Sequence, residues 1–470
     1  VSDLTYLAAI EMAQMIRSKR ISPVELVRAH LDRAEKLHPQ LNAMVHLERD
    51  RALEQALAAE QAVMRGERLG PLHGVPVTIK SSIDVAGLRC EAGTKLRAGC
   101  VPEKDAPLVA RLKAAGAVIL GNTNVPEMLM AYETDNVLHG RTNNPWDLTR
   151  TPGGSSGGEA AAIAAGCSAA GVGSDGGGSI RVPAHFSGIC GLKPTPGRIP
   201  ATGHFPPCVG PFAGLGVVGP MARRVRDLEA LLKVMAGPDE GDVCSAPVPF
   251  RPASEDEVRR LRIGYFEDDG ETTVTPETRA AVRAAAKALE QQGLEVEPFR
   301  PEGLEHARQL WWTLFGLAGG LVLGPILAGH ESELSPILRE FVAMVAAEPP
   351  LTLDCLLNAL IERDQCRTRL LEQMQKFPIL LCPVCAIPAF RHGERAWMID
   401  GQTVNYLDAM RYTQWFNLTG NPAAVVPVGR SPEELPIGVQ VVGRPWEEEV
   451  VLAVAARIEQ ACGGWQKPPL

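Results

Sequence analysis

Two periods of apolar and polar positions alternate along the chain. The first third reads as helices. Ser22-Pro23 is a cap and first-turn pair for a helix over "PVELVRAHLDRAEKLH", and Pro39 predicts its end. "RALEQALAAEQAVMR" predicts a second helix that stops at Gly66. The texture then changes. "GVPVTIK", Gly74 to Lys80, reads as a short apolar strand closed by a lysine. "APLVARLKAAG" reads as a helix and "AVIL" as a buried strand. Glu159 to Ala165 is helical in pattern, and "SAAGVG" is extended. The rhythm returns later, with a helix from Pro276 capped by Thr275 and closed by Gly293, then the strand "LEVEPF". A long helix near Leu357 to Lys376 leads into the strand "PILLCP". Strands interleaved with helices of this length predict an α/β fold with helices on both faces of a largely parallel sheet.

One stretch breaks the rhythm. Leu310 to Gly329, "LWWTLFGLAGGLVLGPILAG", carries no charge and is long enough to span a bilayer. Its glycines and Pro325, and its isolation in an otherwise ordinary chain, predict a buried or pocket-lining helix and turn instead of a stable membrane insertion. Pro238 to Pro252 reads as a surface excursion inside one domain.

Composition narrows the field. The chain has 470 residues, 45% hydrophobic and 22% charged, which is a globular balance. Its formal net charge is -8, so no nucleic-acid partner is expected. Eleven cysteines without regular spacing, and no signal-peptide pattern, predict reduced thiols and a cytoplasmic location. Cys382 and Cys385 form a CxxC without a second ligand pair, so they predict buried thiols and no metal site.

The chemistry concentrates in three segments. "GVGSDG", Gly171 to Gly176, matches a dinucleotide fingerprint but lacks the following helix and the downstream acid. Gly153 to Gly157 matches G-x-S-x-G, yet loop residues precede it where a nucleophile elbow needs a strand. None of His185, His204, His330 or His392 stands in a context that singles it out as a triad histidine. A third reading joins Lys80, Ser155 in "PGGSSGGE" and Ser179 in "GSDGGGSIRVPA". Burial favours a neutral lysine amine, which can take a proton. A neutral amine near a hydroxyl is the Ser–Lys form of nucleophile activation. Gly176, Gly177 and Gly178 before Ser179 can aim backbone N–H groups at one point, as an oxyanion hole requires.

These residues are recognisable together. "PGGSSGGEAAAIAAG" followed by "GSDGGGSIRVPAHFSGICGLKPT" resembles the amidase signature family, which includes bacterial amidases, fatty acid amide hydrolase and the amidotransferase subunit that makes glutaminyl-tRNA. "HGVPVTIKSSIDVAG", "GRTNNPWDLTRTPGG", "FNLTGNPAAVVPVG" and "LPIGVQVVGRPWEEE" extend the likeness over nearly the whole chain. The resemblance implies one large twisted mixed sheet covered by helices on both faces. It implies a single amidase domain, with a helical region at about 1–66, a signature core at about 67–237 and a C-terminal part with pocket insertions at about 238–470. It also implies a Ser–cisSer–Lys triad: Ser179 as nucleophile, Ser155 with a cis bond to Gly154 as proton bridge, and Lys80 as base. Gly176 to Ser179 would form the oxyanion hole. Ser156, Asp175 and Arg181 would be supports, and Leu129 and Met130 pocket wall. "HFPPCVGPF", Leu310–Gly329 and Trp415-Phe416 are further pocket candidates.

The expected activity is hydrolysis of small apolar or aromatic amides, with esters and carbamates as chemical alternatives. No cofactor is implied, the expected partner is the small-molecule substrate, and the expected state is a monomer or homodimer. The alternatives are a non-catalytic relative and an amidotransferase-type subunit; Glu159 after "GGSSGG" resembles the stand-alone amidases. One departure stands out: family members often carry a bulkier residue where this chain has Gly176.

Overall fold

The computed structural model describes residues 4–470. Thirteen strands are present among them: β1 (Met44–Leu47), β2 (Pro76–Lys80), β3 (Val118–Thr123), β4 (Ala170–Asp175), β5 (Cys190–Lys193), β6 (Val217–Ala222), β7 (Arg262–Tyr265), β8 (Glu295–Pro298), β9 (Ile379–Pro383), β10 (Ala396–Ile399), β11 (Gln402–Asn405), β12 (Ala423–Arg430) and β13 (Pro436–Val442). Eleven of them form one sheet in the order β1-β3-β2-β4-β6-β5-β12-β13-β9-β7-β8, and β10 and β11 pair separately.

The sheet is mixed, as the family resemblance implies. The largely parallel sheet read from the strand–helix rhythm is corrected. Only β2 with β3, β2 with β4, β7 with β8 and β7 with β9 run parallel. The central run β4-β6-β5-β12-β13-β9 is antiparallel throughout. Here the strands are joined by turns or by returns that reverse direction, which the strand–helix rhythm at either end of the sheet does not reveal.

The helices follow their local signals with one exception. Ser22 Oγ accepts from the N–H groups of Val24 and Glu25 and starts Pro23–Leu41. That helix continues past Pro39, contrary to expectation. In the last turn a proline removes only one backbone donor, and left-handed Asn42 (φ 48°) ends the helix, its N–H donating to His38 O. Gly66 (φ 71°) closes Arg49–Arg65, where a left-handed residue favours glycine.

Strand alternation decides where the chemistry goes. On β2, Val77 and Ile79 enter the large apolar cluster with Leu108, Leu228 and Val451. Thr78 and Lys80 therefore point to the opposite face. β4 repeats this: Ala170 and Val172 enter the same cluster, while Gly171 and Gly173 lie under the serine loop. A Cβ on Gly171 would come within 1.9 Å of Glu159 Oε1, and one on Gly173 within 2.7 Å of Ser156 Oγ. These glycines let the helix Gly157–Ala164 and its preceding loop lie against the sheet.

The uncharged stretch folds as one helical element over Ala307–Leu327, with a π-helical turn at Trp312–Leu317. By length and composition it could cross a membrane, and half of its most apolar window is buried within the protein. Trp311, Trp312 and Leu314 are buried, whereas Leu321 is exposed.

Candidate active site

Lys80 is fully buried at the end of β2. Its Nζ lies 2.7 Å from Ser155 Oγ, 2.9 Å from Ser156 Oγ and 3.0 Å from Ser174 Oγ. Burial lowers its pKa to about 7, against the opposing pull of the Asp175 and Glu159 carboxylates. Glu159 is also fully buried, and burial raises its pKa to about 7 although the Thr78 and Thr123 hydroxyls donate to it. The ammonium thus has hydroxyl partners and no carboxylate in contact, an environment that favours a neutral amine.

The peptide bond between Gly154 and Ser155 is cis. Ser156 holds the loop: its N–H donates to Ser179 O at 3.1 Å, and its Oγ accepts from Ser174 N at 3.3 Å. Ser155 and Ser179 line the same cleft, together with Leu129, Met130, His204 and Phe315. Among the described residues no hydrogen bond involves Ser179 Oγ, so Lys80 and Ser155 are joined directly while Ser155 and Ser179 are not.

The glycine loop before Ser179 is fixed from behind. Tyr132 Oη donates to Gly177 O at 2.9 Å and Thr413 Oγ1 donates to the same oxygen at 2.7 Å. Trp311 Nε1 donates to Gly176 O at 2.8 Å. Anchored carbonyls hold the loop's peptide planes in place. The N–H groups of Gly176, Gly177 and Ser179 have no protein acceptor among the described residues. Gly178 departs from the four-donor expectation, because its N–H donates to Asp175 Oδ1 at 2.7 Å. Asp175 and Arg181 form a fully buried ion pair at 3.0 Å, joined by Asn417 and Gln440. Burial would raise the Asp175 pKa, but the Arg181 guanidinium holds it well below the usual carboxylate range.

The structure settles the Gly176 departure. A Cβ at this position would lie 2.8 Å from Phe315 Cε2, so the ring occupies the space a larger residue would need. Phe315 stacks on Trp311, with ring centroids 4.8 Å apart, and meets Phe212 edge-on at 5.4 Å.

Ser179 sits between two apolar compartments. One is lined by Pro206, Cys208, Phe212 and Val217, the other by Trp311, Trp312, Phe341, Met344 and Leu407. Leu129, Met130 and Phe315 line both. The expected contributions of "HFPPCVGPF" and of the uncharged stretch therefore fall at the cleft. Trp415 and Phe416 do not: both are buried in the core, where Trp415 stacks on Phe266. Met128 and Leu129 both have positive φ (52° and 67°), in the short turn that brings the Leu129–Met130 wall to Ser179.

His185 is buried between backbone groups, with Nδ1 accepting from Gly438 N and Nε2 lying 3.1 Å from Ile387 O. It has no place in a serine triad. Cys382 and Cys385 are buried free thiols. Tyr132, Thr413 and Asn417 carry no signal in the sequence, and Trp311, expected only as pocket wall within the uncharged stretch, also holds the glycine loop. Each reaches a backbone or carboxylate oxygen from a distant segment, and that leaves no local spacing to read.

A mixed sheet thus brings together a buried lysine, two serines on glycine loops and unpaired N–H groups beside one of them. Comparison with known proteins identifies the class. The Amidase family model matches residues 25–452, and the chain belongs to the amidase signature family of hydrolases acting on C–N bonds. It is 35% identical to a glutamyl-tRNA(Gln) amidotransferase subunit from Moorella thermoacetica, covering 98% of this chain and 97% of that one. It is 34% identical to the indoleacetamide hydrolase of Bradyrhizobium diazoefficiens, covering 97% and 86%. The crystal structure of a bacterial aryl acylamidase of the amidase signature family superposes with a TM-score of 0.86 at 27% identity, covering 97% and 96%.

Proposed function

We propose that this chain is a stand-alone amidase that hydrolyses small amides with apolar or aromatic groups through an acyl-enzyme on Ser179. The observation that carries this reading is the buried Lys80 amine against Ser155 Oγ, in a cleft that Ser179 shares. Neutral Lys80 takes the Ser155 proton as Ser155 takes that of Ser179. Substrate entry brings the second link of this relay into hydrogen-bond distance, since apo catalytic contacts commonly tighten on binding. Ser179 Oγ attacks the carbonyl, and the N–H groups of Gly176, Gly177 and Ser179 stabilise the oxyanion. The proton returns through Ser155 to the leaving nitrogen. Water then attacks the ester by the same route, releasing acid and restoring the site. Esters and carbamates fit the same steps.

The lining favours apolar groups on both sides of the scissile bond. Asp175 is the one charged residue at either compartment, and Arg181 already pairs it. A glutamine substrate would bring an ammonium and a carboxylate that this lining leaves unpaired, which separates the reading from the amidotransferase relatives despite their sequence likeness.

The purified chain alone should cleave an aryl amide, and a fluorophosphonate should add one adduct that maps to Ser179. Ser179→Ala should lose the adduct and about 10⁴-fold or more in kcat. Labelling at Ser155, or no turnover without a second protein, would overturn the proposal.

A further inference from the structure

Away from the cleft, three side chains from separate segments converge. His46 lies on edge strand β1, Glu91 follows β2, and His139 ends a turn held by Asn136. His46 Nε2 is 3.0 Å and His139 Nε2 2.9 Å from a single oxygen, Glu91 Oε2. All three candidate donor atoms lie within 4.8 Å of one another. The mechanism uses none of them.

We infer that His46, Glu91 and His139 form a binding site for one zinc-class divalent cation, structural in role and separate from catalysis. Two imidazoles and one carboxylate are a donor set suited to such ions. Tetrahedral zinc at about 2.0–2.1 Å from each donor places donors roughly 3.3 Å apart. The two nitrogen–oxygen separations need to widen by a few tenths of an ångström, and the two imidazole nitrogens, within 4.8 Å of each other, need to settle at the same spacing.

The surroundings position the donors. Glu91 Oε1 accepts from Gly99 N at 2.8 Å, which fixes the carboxylate and leaves Oε2 for the ion. Asn42 Nδ2 donates to His139 O at 2.6 Å, and His139 N donates to Asn136 Oδ1 at 2.8 Å. The Glu91 side chain is 5% exposed and the two histidines 16% and 19%, so one side remains open for entry and a water ligand.

The site would tie the sheet edge to the back of the active-site wall. Ala92, next to Glu91, donates to Ser81 O beside Lys80, and its carbonyl accepts from Met128 N at 2.9 Å. Met128 opens the turn that places Leu129 and Met130 at the cleft.

The experiment is metal stoichiometry and stability on the intact chain after chelator dialysis. Parent protein dialysed against Zn²⁺ should retain one ion per chain and gain in Tm. His46→Gln, His139→Gln and Glu91→Gln should each lose the ion and the gain, while eluting as folded protein. Because thiols also bind zinc, Co²⁺ should give a spectrum without a thiolate charge-transfer band. An anomalous peak between the three side chains in zinc-soaked crystals would support the site even if one variant fails to fold. Equal zinc retention by parent and all variants, a thiolate spectrum, or no retained ion would overturn the proposal and leave a hydrogen-bonded strap only.

Discussion

The two sides of the Ser179 cleft are built on opposite principles. The polar side is over-determined: Lys80, Ser155, Ser156, Ser174, Asp175 and Arg181 are buried, and each is held by the hydrogen bonds of its neighbours. The apolar side is made of rings and thioethers from distant segments, held mostly by packing, with the Trp311 and Trp312 indoles also hydrogen-bonded. Phe315 rests on Trp311 and Phe212, with Met130 and Met344 beside it. A buried polar network loses a full desolvation penalty when one member is removed. A packed wall can shift by a fraction of an ångström and remain a wall. The polar side should therefore set whether the reaction occurs, and the apolar side which substrate it serves.

The sharpest way to break this contrast is to remove the base. Lys80→Ala should lower amide turnover by roughly 10²–10⁴-fold, the usual span of general acid–base catalysis. The loss on a matched aryl ester should be smaller, because a phenoxide leaves with less need of a returned proton. Equal losses in kcat on both substrates would remove Lys80 as the proton source.

The same network predicts a pH limb. Lys80 has its pKa lowered from the usual ~10.4 to about 7. Below that value the amine is protonated and cannot act as base, so kcat/KM should fall about tenfold per pH unit as pH drops below about 7. Glu159 opposes the lowering, so Glu159→Gln should move the limb toward lower pH. A profile flat from pH 6 to 9, or a limb that Glu159→Gln leaves in place, would contradict the assignment.

The polar side was largely legible in the sequence, and the reason is geometric. Ser155 and Ser179 each sit in a short glycine-rich segment and Lys80 closes a short apolar strand, so each is marked by its immediate neighbours. Strand alternation on "PVTIK" then sends Lys80 to the face opposite Val77 and Ile79. The apolar side was legible only as composition. Nothing in "LWWTLFGLAGG" says that Phe315 fills the space above Gly176, because the partners are 139 residues apart and any aromatic pattern is compatible with core packing. Trp415 and Phe416 show this failure: they look like pocket residues and are core. The antiparallel centre of the sheet was hidden for a similar reason. β5 and β6 contain glycine or proline, and β12 and β13 are buried on both faces, so neither pair shows alternation.

The contact between Gly176 and Phe315 is where the two sides meet, and it offers a more moderate perturbation. Gly176→Val should drive the Phe315 ring from its stack, at an overpacking cost of about 1–3 kcal/mol. Roughly tenfold loss in kcat/KM on aryl amides should follow, with Lys80 chemistry and its pH limb intact. Phe315→Ala in the same chain should restore part of the activity by vacating the space. If the double variant is as impaired as Gly176→Val alone, the valine acts on the loop's N–H groups directly and not through the ring.

The finest test uses two adjacent glycines of the apolar helix. A Cβ on Gly319 would meet the Phe212 ring at 2.5 Å, and Phe212 lines the cleft. One on Gly320 would meet Val345 Cγ1 at 3.0 Å, on the helix Pro336–Ala346, which does not line the cleft through that residue. The two glycines share a helical environment and differ in what stands opposite. Gly319→Leu should push Phe212 toward the bound group and exclude bulk. Across acyl p-nitroanilides of increasing size, kcat/KM should fall by about tenfold for the large members, within the 1–3 kcal/mol that a lost methylene-sized space is worth. Acetyl should change little. Gly320→Leu gains about 1 kcal/mol of helix propensity and loses a comparable amount to crowding of Val345, so its Tm should move by a few degrees at most and its size profile not at all. If Gly320→Leu reshapes the profile as Gly319→Leu does, the helix acts on the cleft by shifting as a whole. If neither does, the compartment beside Phe212 is not where the bulky group binds, and the group lies on the Trp311 and Met344 side of Ser179.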